Sequence, residues 1–589
     1  MTYILGISCF YHDSAASLIG DEGVICAAEE ERFTRIKHDS NFPINAIRFC
    51  LQLKNLKPGD LKAIVFYENP KLKFKRVSES FIRNLPKSIN IFSDIIKQWH
   101  NKKLWILEII EKTLKVDKNK IFFSQHHDSH CFSSHYTSGF NSSISLSIDG
   151  VGEYQTLHSK FIDLDNNPES LLSINFPNSL GLFYSAFTEF LGFEVNEGEF
   201  KVMGLAAYGN PSYVDKIEKV FLSRSNSSFE LDMDYFGFEY SNKSNLTANF
   251  LKIFGEPRQY DSKFLSEDQK SVFEKKITKD QQYYADIAAS LQHVLEDQIL
   301  NMTQNLYRKN KSENLTYSGG VAYNGVVNDK IIRKSGFKNV NIVPPSGDNG
   351  GAIGCALGHY VKNNFENYKN NINNFKLKNV YLGPEFEDRE CDILLQNYSF
   401  KNEKFNDEIL SSRVAELLNR KKVIGVFKSK AEFGPRALGN RSIIADPRTI
   451  EMKNLINKSI KYREIFRPFA PVVLMDYATK YFELDGFENQ QPYQFMLSVV
   501  KVRPEYIKSL EAITHIDGTA RVQILKQSQN PFLYSVIKKF GDLSNIYALV
   551  NTSFNIRGEP IVCTPKNVLD TFVWTDLDNV VLNNFLVSK

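Results

Sequence analysis

The stretch ISLSIDGVGEYQTLHSKF, residues 144–161, decides the fold of the amino-terminal part of the chain. Apolar residues alternate with serines up to Asp149, a short polar turn containing glycine follows, and a second apolar segment begins after the turn. This pattern predicts two strands joined by a tight turn. Residues 3–19, YILGISCFYHDSAASLI, repeat the design with a polar turn that holds His12. The sequence therefore predicts two similar hairpins in one part of the chain.

A third segment, LTYSGGVAYNG at residues 315–325, is an apolar strand that runs into paired glycines. Glycine at such a turn lets backbone N–H groups approach a phosphate or a base closely. Two facing hairpins and a glycine turn are how the actin, hexokinase and Hsp70 superfamily holds a nucleotide, although each segment alone is also compatible with an ordinary turn. The candidate nucleotide-binding residues are Asp149, Gly150, Gly152, Gly319, Gly320 and Asn324.

Length and composition limit the classes of protein to consider. A chain of 589 residues is too long for one core, and its net charge of +4 gives no electrostatic reason to expect a nucleic-acid partner. The seven cysteines are odd in number and form no CxxC pair, which indicates reduced thiols. No signal peptide or bilayer-spanning stretch is recognisable. We therefore expect a cytoplasmic protein without a membrane partner.

The best candidate for a linker is residues 361–380, VKNNFENYKNNINNFKLKNV, which are rich in Asn and Lys. A linker there divides the chain into an amino-terminal domain, residues 1–360, and a carboxy-terminal domain, residues 381–589.

A histidine cluster, QHHDSH at residues 125–130, places His126 and His130 four residues apart. A pair with this spacing is also common on surface turns. Asp149 ends the strand that follows, and Asp348 lies in the turn of NIVPPSGDNGGAIG, before a glycine-rich helix start. Two imidazoles and two carboxylates suit Fe(II), Mn(II) or Zn(II), so these four residues are the candidate metal ligands.

An arginine-rich stretch, residues 428–467, carries ten Lys or Arg against four Asp or Glu. The arginines are interleaved with Gly, Pro and apolar residues, as in FGPRALGNRS, which is not the pattern of a solvated helix. Embedded arginines favour bidentate binding of phosphate or carboxylate oxygens, with loop-tying arginines as the alternative. Arg521 and Arg557 follow in TARVQ and NTSFNIRGEPIV. No Walker-type phosphate loop occurs.

Several of these motifs together resemble one family. HHDSH, DGVGE, GEFKVMGLAAYG, SGGVAYNG and PPSGDNGGAIG look like the amino-terminal module of the O-carbamoyltransferases of the NodU/cephamycin-carbamoyltransferase family, and FGPRALGNRS with NTSFNIRGEPIV looks like its carboxy-terminal module. The resemblance covers nearly the whole chain except residues 60–120 and 222–280. It implies an α/β protein with an actin/Hsp70-like (ASKHA) domain, resembling tRNA threonylcarbamoyltransferase, and a YrdC-like α/β domain.

The resemblance also implies a reaction and its residues. The first domain would hold a divalent metal, Fe(II) first and Mn(II) or Zn(II) otherwise, on the four ligands named above. The second would make carbamoyl-adenylate from ATP, with Mg(II), and carbamoyl phosphate. His12 would be the base or the orienting group for the attacking hydroxyl, and Lys37 would pair with the adenylate phosphate. The implied residues of the second domain are Arg436, Lys461, Arg467, Arg521 and Arg557.

Three other functions compete with this one. Both modules resemble enzymes of tRNA threonylcarbamoylation, but the weak net charge and the order of the modules argue against it. A non-catalytic actin-like ATP-binding protein or a sugar kinase leaves the arginine-rich half unexplained. The expected acceptor is a small-molecule alcohol, such as a secondary metabolite, a toxin or a sugar, whose identity the sequence leaves open; a homodimer is also expected.

Overall fold

The computed structural model describes residues 2–89, 99, 103–241, 243–260, 262–265, 270–274, 277–310, 312–464 and 466–589. Contacts divide the chain into two compact units. Unit 1 comprises Met1–Glu30, Asp39–Ser262 and Gln282–Leu377. Unit 2 comprises Glu31–His38, Lys263–Gln281 and Lys378–Lys589. None of the helices in the described ranges is long and apolar enough to cross a bilayer.

Unit 1 contains the same five-stranded sheet twice. The first has the order β3-β2-β1-β4-β5, with β1 Ile4–Ser8, β2 Ala15–Gly20, β3 Gly23–Glu29, β4 Ala63–Phe66 and β5 Ile121–Phe123. The second has the order β8-β7-β6-β11-β12, with β6 Ser142–Ile148, β7 Gln155–Asp163, β8 Asn166–Asn175, β11 Asn314–Ser318 and β12 Asn339–Ile342. In both, three antiparallel strands continue into two parallel ones.

Helices occupy corresponding places in the two halves of unit 1. Those of the first half are Ile44–Gln52, Pro70–Arg83, Ile106–Leu114 and His126–Tyr136. Those of the second half are Leu180–Phe190, Glu199–Ala206, Val214–Glu218, Ala248–Phe254, Lys279–Lys309, Gly325–Lys334 and Asp348–Asn363, with a hairpin of β9 Phe221–Arg224 and β10 Phe229–Leu231 among them. This duplicated strand order is that of the actin/Hsp70-like fold, so the predicted fold class of unit 1 is confirmed. The two predicted hairpins are β1–β2 and β6–β7.

The last helices of the two halves, His126–Tyr136 and Asp348–Asn363, lie against each other at very short range. A Cβ atom added at Gly354 would lie 1.7 Å from the backbone oxygen of Ser129, and one added at Gly358 would lie 2.4 Å from the Phe132 ring. Only glycine permits this approach. The close contact brings the amino-terminal ends of both helices to the ends of the strands that precede them.

The structure differs from the sequence prediction at residues 361–380. Instead of a linker, these residues continue helix Asp348–Asn363 and form helices Phe365–Asn370 and Ile372–Phe375. Tyr368 and Phe375 are fully buried in unit 1, and the Tyr368 hydroxyl donates a hydrogen bond to the Tyr136 backbone oxygen at 3.2 Å. The Asn and Lys residues hide an apolar series at positions 365, 368, 372 and 375, which is helical spacing.

Unit 2 is built on an eight-stranded mixed sheet of order β13-β22-β21-β14-β15-β20-β16-β19. Its strands are β13 Lys401–Lys404, β14 Ile424–Phe427, β15 Arg441–Ala445, β16 Ala470–Leu474, β19 Gln523–Leu525, β20 Ala548–Ser553, β21 Asn579–Leu582 and β22 Phe585–Ser588, beside a separate pair, β17 Val499–Lys501 and β18 Thr519–Arg521. Its helices are Glu31–Thr34, Asp388–Leu395, Asp407–Asn419, Ile450–Leu455, Met475–Tyr481, Pro531–Ser544 and Pro565–Trp574. The α/β class predicted for this half is confirmed.

We predict that Gly354→Ala destabilises the chain, although alanine is the better helix former. The added Cβ has to displace backbone of helix His126–Tyr136, and overpacking of this kind lowers the free energy of unfolding by about 1–3 kcal/mol. Urea unfolding measures the change. Gly59→Ala is the matched control, because no heavy atom lies within 4 Å of its added Cβ. Equal stability of the two variants would contradict the role given to the helix contact.

Candidate functional site

Four ligand atoms from three separate segments converge at the ends of the strands of unit 1. His126 and His130 lie on one face of helix His126–Tyr136, Asp149 follows β6, and Asp348 begins helix Asp348–Asn363. The Nε2 atoms of His130 and His126 lie 2.9 Å and 3.3 Å from Asp149 Oδ2. Asp348 Oδ1 lies 3.5 Å and 3.7 Å from the same two nitrogens. The four predicted ligands are therefore brought together, within 4.8 Å of one another.

These distances fit a metal ion. Ligand atoms about 2.0–2.2 Å from a common tetrahedral centre lie about 3.4 Å from one another, close to the separations observed here. His130 is fully buried and Asp348 is 2% exposed, so water does not compensate the carboxylate charges. Buried carboxylates need a positive partner. The donor set of two nitrogens and two oxygens suits a divalent transition metal.

The charges within the cluster shift every pKa in the direction expected for ionised carboxylates. Burial raises the pKa of Asp149, but hydrogen bonds from His126 and His130 hold it well below its ordinary value. Burial lowers the pKa of His126, but Asp348, Asp149 and Glu68 outweigh burial and raise it to about 10. The carboxylates are thus ready ligands, and in the absence of a cation protons on the imidazoles balance their charge.

Three residues that the sequence analysis missed hold the ligands in place. Both carboxylate oxygens of Glu153 accept the backbone N–H of His126 at 3.1 Å, so that Glu153 caps the ligand helix. The Tyr67 hydroxyl donates to Asp348 Oδ2 at 3.2 Å. Glu68 Oε2 lies 3.8 Å from His126 Nδ1. Such partners orient metal ligands. Glu153 stands in the DGVGE motif quoted above, and Tyr67 and Glu68 directly follow β4. A position in a conspicuous turn or at a strand end was the signal available in the sequence.

The predicted nucleotide-binding glycines surround the same cluster. Gly319 has a φ of +90°, and a Cβ added there would lie 2.2 Å from the Ile148 backbone oxygen. A Cβ at Gly320 would lie 3.0 Å from Asp149 Oδ1, and one at Gly152 would lie 3.0 Å from the His126 Cβ. The Gly150 N–H donates to Asp149 Oδ1 at 2.7 Å. Their small size therefore lets the backbone come close to the ligands.

Asn324, the remaining residue of that set, caps helix Gly325–Lys334 with its side chain. Its amide also exchanges two hydrogen bonds with the Gln292 amide, at 2.9 Å and 3.0 Å. In the structure as described, the side chain of Asn324 thus has protein partners for both its oxygen and its nitrogen.

His12 lies in the β1–β2 turn, where its Nδ1 is 2.9 Å from Asp13 Oδ2. Burial lowers the pKa of His12, but the hydrogen bond with Asp13 and the charges of Asp348 and Asp149 raise it to about 9. These contacts favour the protonated form of the imidazole, whereas a metal ion held by Asp149 and Asp348 would offset two of the carboxylate charges that act on it. A cationic His12 suits holding an oxygen of the substrate better than removing a proton from it.

Unit 2 contains a second site, a group of cations that we call the cationic cluster. Its members are Lys37, Arg436, Lys461, Arg463, Arg467 and Arg521. Lys461 Nζ donates to the backbone oxygen of Ser553 at 2.6 Å and to Asn555 Oδ1 at 2.6 Å. Burial and then the neighbouring cations Arg463, Arg467 and Lys37 hold the pKa of Lys461 well below its ordinary value. Positive charges that depress one another in this way favour an anionic ligand.

The structure brings most of the predicted carboxy-terminal residues together. Burial, Arg436 and Arg467 lower the pKa of Arg521, which places these three guanidinium groups near one another. Arg557, by contrast, is exposed in the turn that follows β20. Lys37 belongs to unit 2, beside Lys461, and not to the metal-ligand unit in which the sequence analysis had put it.

Arg463 is a member of the cluster that the sequence analysis did not select. Its Nε donates to Asn457 Oδ1 at 2.7 Å, and its guanidinium lies 4.5 Å from the centre of the Phe469 ring. Burial and Arg467 hold its pKa well below its ordinary value. The signal was present in KYREIFR, where Arg463 stands between two residues that had been selected.

Comparison with known proteins identifies the family. Residues 3–357 match the family model described as carbamoyltransferase N-terminus, and residues 415–589 match carbamoyltransferase C-terminus. Two nearly full-length relatives are an uncharacterized protein of Synechocystis sp., 39% identical over 100% of this chain and 97% of its own length, and nodulation protein NolNO of Sinorhizobium fredii, 33% identical over 98% and 79%. The 3'-hydroxymethylcephem-O-carbamoyltransferase of Streptomyces clavuligerus is 28% identical over 46% of this chain and 48% of its own.

The two family matches thus define the class of the chain as a group-transferring enzyme. The chain belongs to the carbamoyltransferase family and is an enzyme of this kind.

We predict that His130→Ala lowers the metal content of the purified protein at least about tenfold, because the substitution removes one of the four ligands. Elemental analysis after dialysis measures the metal. His293→Ala is the matched control, since His293 lies on the exposed face of helix Lys279–Lys309. A His130→Ala protein that retains the metal of the unmodified chain would show that the cluster is not the metal site.

Proposed function

We propose that this enzyme is an ATP-dependent O-carbamoyltransferase that uses carbamoyl phosphate and transfers the carbamoyl group to a hydroxyl of a small molecule. The observation that carries the proposal is the presence of two different sites in one chain. Unit 1 has a cluster of metal-ligand type, and unit 2 has a buried group of cations. Membership of the carbamoyltransferase family, and the name of the O-carbamoyltransferase relative, support the choice of reaction.

The cationic cluster suits the first half-reaction. Carbamoyl phosphate would be hydrolysed to carbamate and phosphate, and a carbamate oxygen would then attack the α-phosphorus of ATP, which expels pyrophosphate and leaves carbamoyl-adenylate. Arg436, Arg467 and Arg521 would hold phosphoryl oxygens, where negative charge develops. Lys461, which donates hydrogen bonds to Ser553 and Asn555, would hold these residues in place beside the guanidinium groups. Mg(II) would accompany ATP.

The second half-reaction suits unit 1. The acceptor hydroxyl oxygen would attack the carbamoyl carbon, the bond to the adenylate oxygen would break, and AMP would leave. His126, His130, Asp149 and Asp348 would hold the metal, for which we propose Fe(II) first and Mn(II) or Zn(II) as alternatives. When bound, such an ion acts as a Lewis acid toward oxygen. His12, fixed by Asp13, would hold an oxygen of the carbamoyl-adenylate or the acceptor.

We also propose the partners and the location. The acceptor is a small-molecule alcohol and not a nucleic acid, in line with the net charge of +4, and the chain forms a homodimer without a membrane partner. All seven cysteines lie among the described residues, are buried and form no disulfide, which supports a reducing compartment and hence the cytoplasm. Bulk tRNA supplied as the acceptor is therefore expected to give no carbamoylated product, whereas a modified tRNA would favour the threonylcarbamoylation alternative.

We predict that Arg436→Ala and Arg467→Ala each lower carbamoyl-phosphate-dependent ATP–pyrophosphate exchange at least about tenfold. The loss of a charge-assisted contact removes about 1.5–3 kcal/mol, and about 1.4 kcal/mol corresponds to one decade in rate. Lysine at either position should restore little, because a point charge does not reproduce the guanidinium fork. Both variants should still transfer the group from chemically supplied carbamoyl-adenylate.

Arg413→Ala is the control for these variants. Arg413 lies on helix Asp407–Asn419 in the same unit, and its ion pair with Glu416 is exposed, so exchange should be unaffected. Unchanged exchange in both cluster variants, or equal loss of both half-reactions in well-folded protein, contradicts the proposed division of labour.

A further inference from the structure

Parts of two segments that carry none of the family motifs, residues 60–120 and 222–280, contact each other in unit 1. The Ser80 hydroxyl of helix Pro70–Arg83 donates to the backbone oxygen of Glu239 at 3.2 Å. In the same region the Phe238 ring lies 6.2 Å from the Phe176 ring, measured between centroids. Helix Pro70–Arg83, Phe176 and residues 238–239 thus form one wall of unit 1.

Arg76 lies on this wall in an unusual setting. Its guanidinium carbon is 4.7 Å from the centre of the Phe176 ring, so the cation rests on the aromatic face. Its Nε atom is buried and, among the residues the structure describes, has no hydrogen-bond partner. Burial lowers the pKa of Arg76. A guanidinium withdrawn from water normally gains hydrogen bonds to a carboxylate or phosphate in exchange.

The carboxylates nearest to Arg76 are already engaged with other groups. Glu68 forms a buried ion pair with Lys73 at 2.5 Å. Glu153 accepts the backbone N–H groups of His126 and Asn69. Glu68 is held in place because it closely follows β4, and Glu153 is held in place because it caps the ligand helix. The guanidinium group of Arg76 is therefore available to bind an anion from outside the chain.

The position of Arg76 connects it to the transfer site. Tyr11, in the β1–β2 turn, has its ring centre 4.8 Å from that of His12, and the charges of Asp348, Asp149 and Arg76 all act on its hydroxyl. The Lys73 ammonium, on the same helix as Arg76, is 5.3 Å from the centre of the Tyr11 ring. An anion on Arg76 would therefore lie one side chain away from the metal-ligand cluster.

From this arrangement we infer that Arg76, stacked on Phe176, binds an anionic group of the acceptor, so that the acceptor is an alcohol that also carries a carboxylate, phosphate or sulfate. The inference rests on the proposed function and specifies its substrate class. The adenylate also carries an anionic phosphate. We assign the acceptor because Arg76 and the residues around Phe238 lie in the segments without family motifs, whereas the adenylate is common to the whole family.

The test uses the metal-loaded full chain with ATP and labelled carbamoyl phosphate. Two pairs of acceptors each compare an anionic alcohol with a neutral alcohol of similar structure. The pairs are D-glucuronate with D-glucose, and glycerol 3-phosphate with glycerol. We expect kcat/KM for at least one anionic member to exceed that of its neutral partner at least about tenfold. Arg76→Gln should reduce this preference at least about tenfold through KM for the acceptor, and Arg76→Lys should restore part of it. Arg83→Gln, at the exposed end of the same helix, should leave it unchanged.

Three results overturn the inference. The first is that the enzyme shows no preference for an anionic acceptor, or uses none of the acceptors, and the second is that the preference survives Arg76→Gln. The third is that Arg76→Gln raises KM for chemically supplied carbamoyl-adenylate and not for the acceptor, which would assign the anion to the adenylate phosphate. ATP–pyrophosphate exchange by the unmodified chain is measured in parallel. If that exchange is absent, the proposed function fails, whereas intact exchange with no effect of Arg76→Gln rejects only the assignment of Arg76.

Discussion

The need of two buried carboxylates for positive charge governs unit 1. Asp348 is buried and the Asp149 side chain is 15% exposed, and the pKa values of both stay below the ordinary range because the imidazoles of His126 and His130 are adjacent. A divalent metal satisfies both carboxylates at once. The fold supplies the geometry: the duplicated sheet places two equivalent helices so that one presents His126 and His130 and the other presents Asp348.

Unit 2 presents the opposite electrostatic situation. There the buried charges are positive. Burial lowers the pKa values of Lys461, Arg463 and Arg521, and the charges of neighbouring cations, Arg467 among them, lower these values further. Holding these positive charges together without a ligand costs free energy, and an anionic ligand would offset that cost. One chain thus combines a site that attracts a cation with a site that attracts phosphate oxygens. That pairing is what a two-step transfer through an adenylate requires.

The sequence was sufficient for the parts of the structure that depend on local pattern. The hairpins at residues 3–19 and 144–161 follow from strand alternation. Histidine spacing and strand ends indicated the four side chains that the structure brings together, and the family resemblance selected the arginines. Residues 361–380 were predicted wrongly as a linker because polar composition masked an apolar helical series that Tyr368 and Phe375 complete. Glu153 was missed because its role comes from a contact with another segment, the start of the ligand helix, which spacing along the chain does not reveal. The raised pKa of His12 comes first from its hydrogen bond with the adjacent Asp13 and then from Asp348, which is remote in sequence.

The central claim is that one metal ion binds at the point where His126, His130, Asp149 and Asp348 converge. Anomalous diffraction from a crystal of the full chain purified with its metal, recorded on both sides of the iron, manganese and zinc absorption edges, tests this claim most directly. The account predicts one strong peak in unit 1, about 2.0–2.2 Å from the Nε2 atoms of both histidines and from one oxygen of each aspartate. A metal peak elsewhere, with these four side chains in contact only with one another, would contradict it.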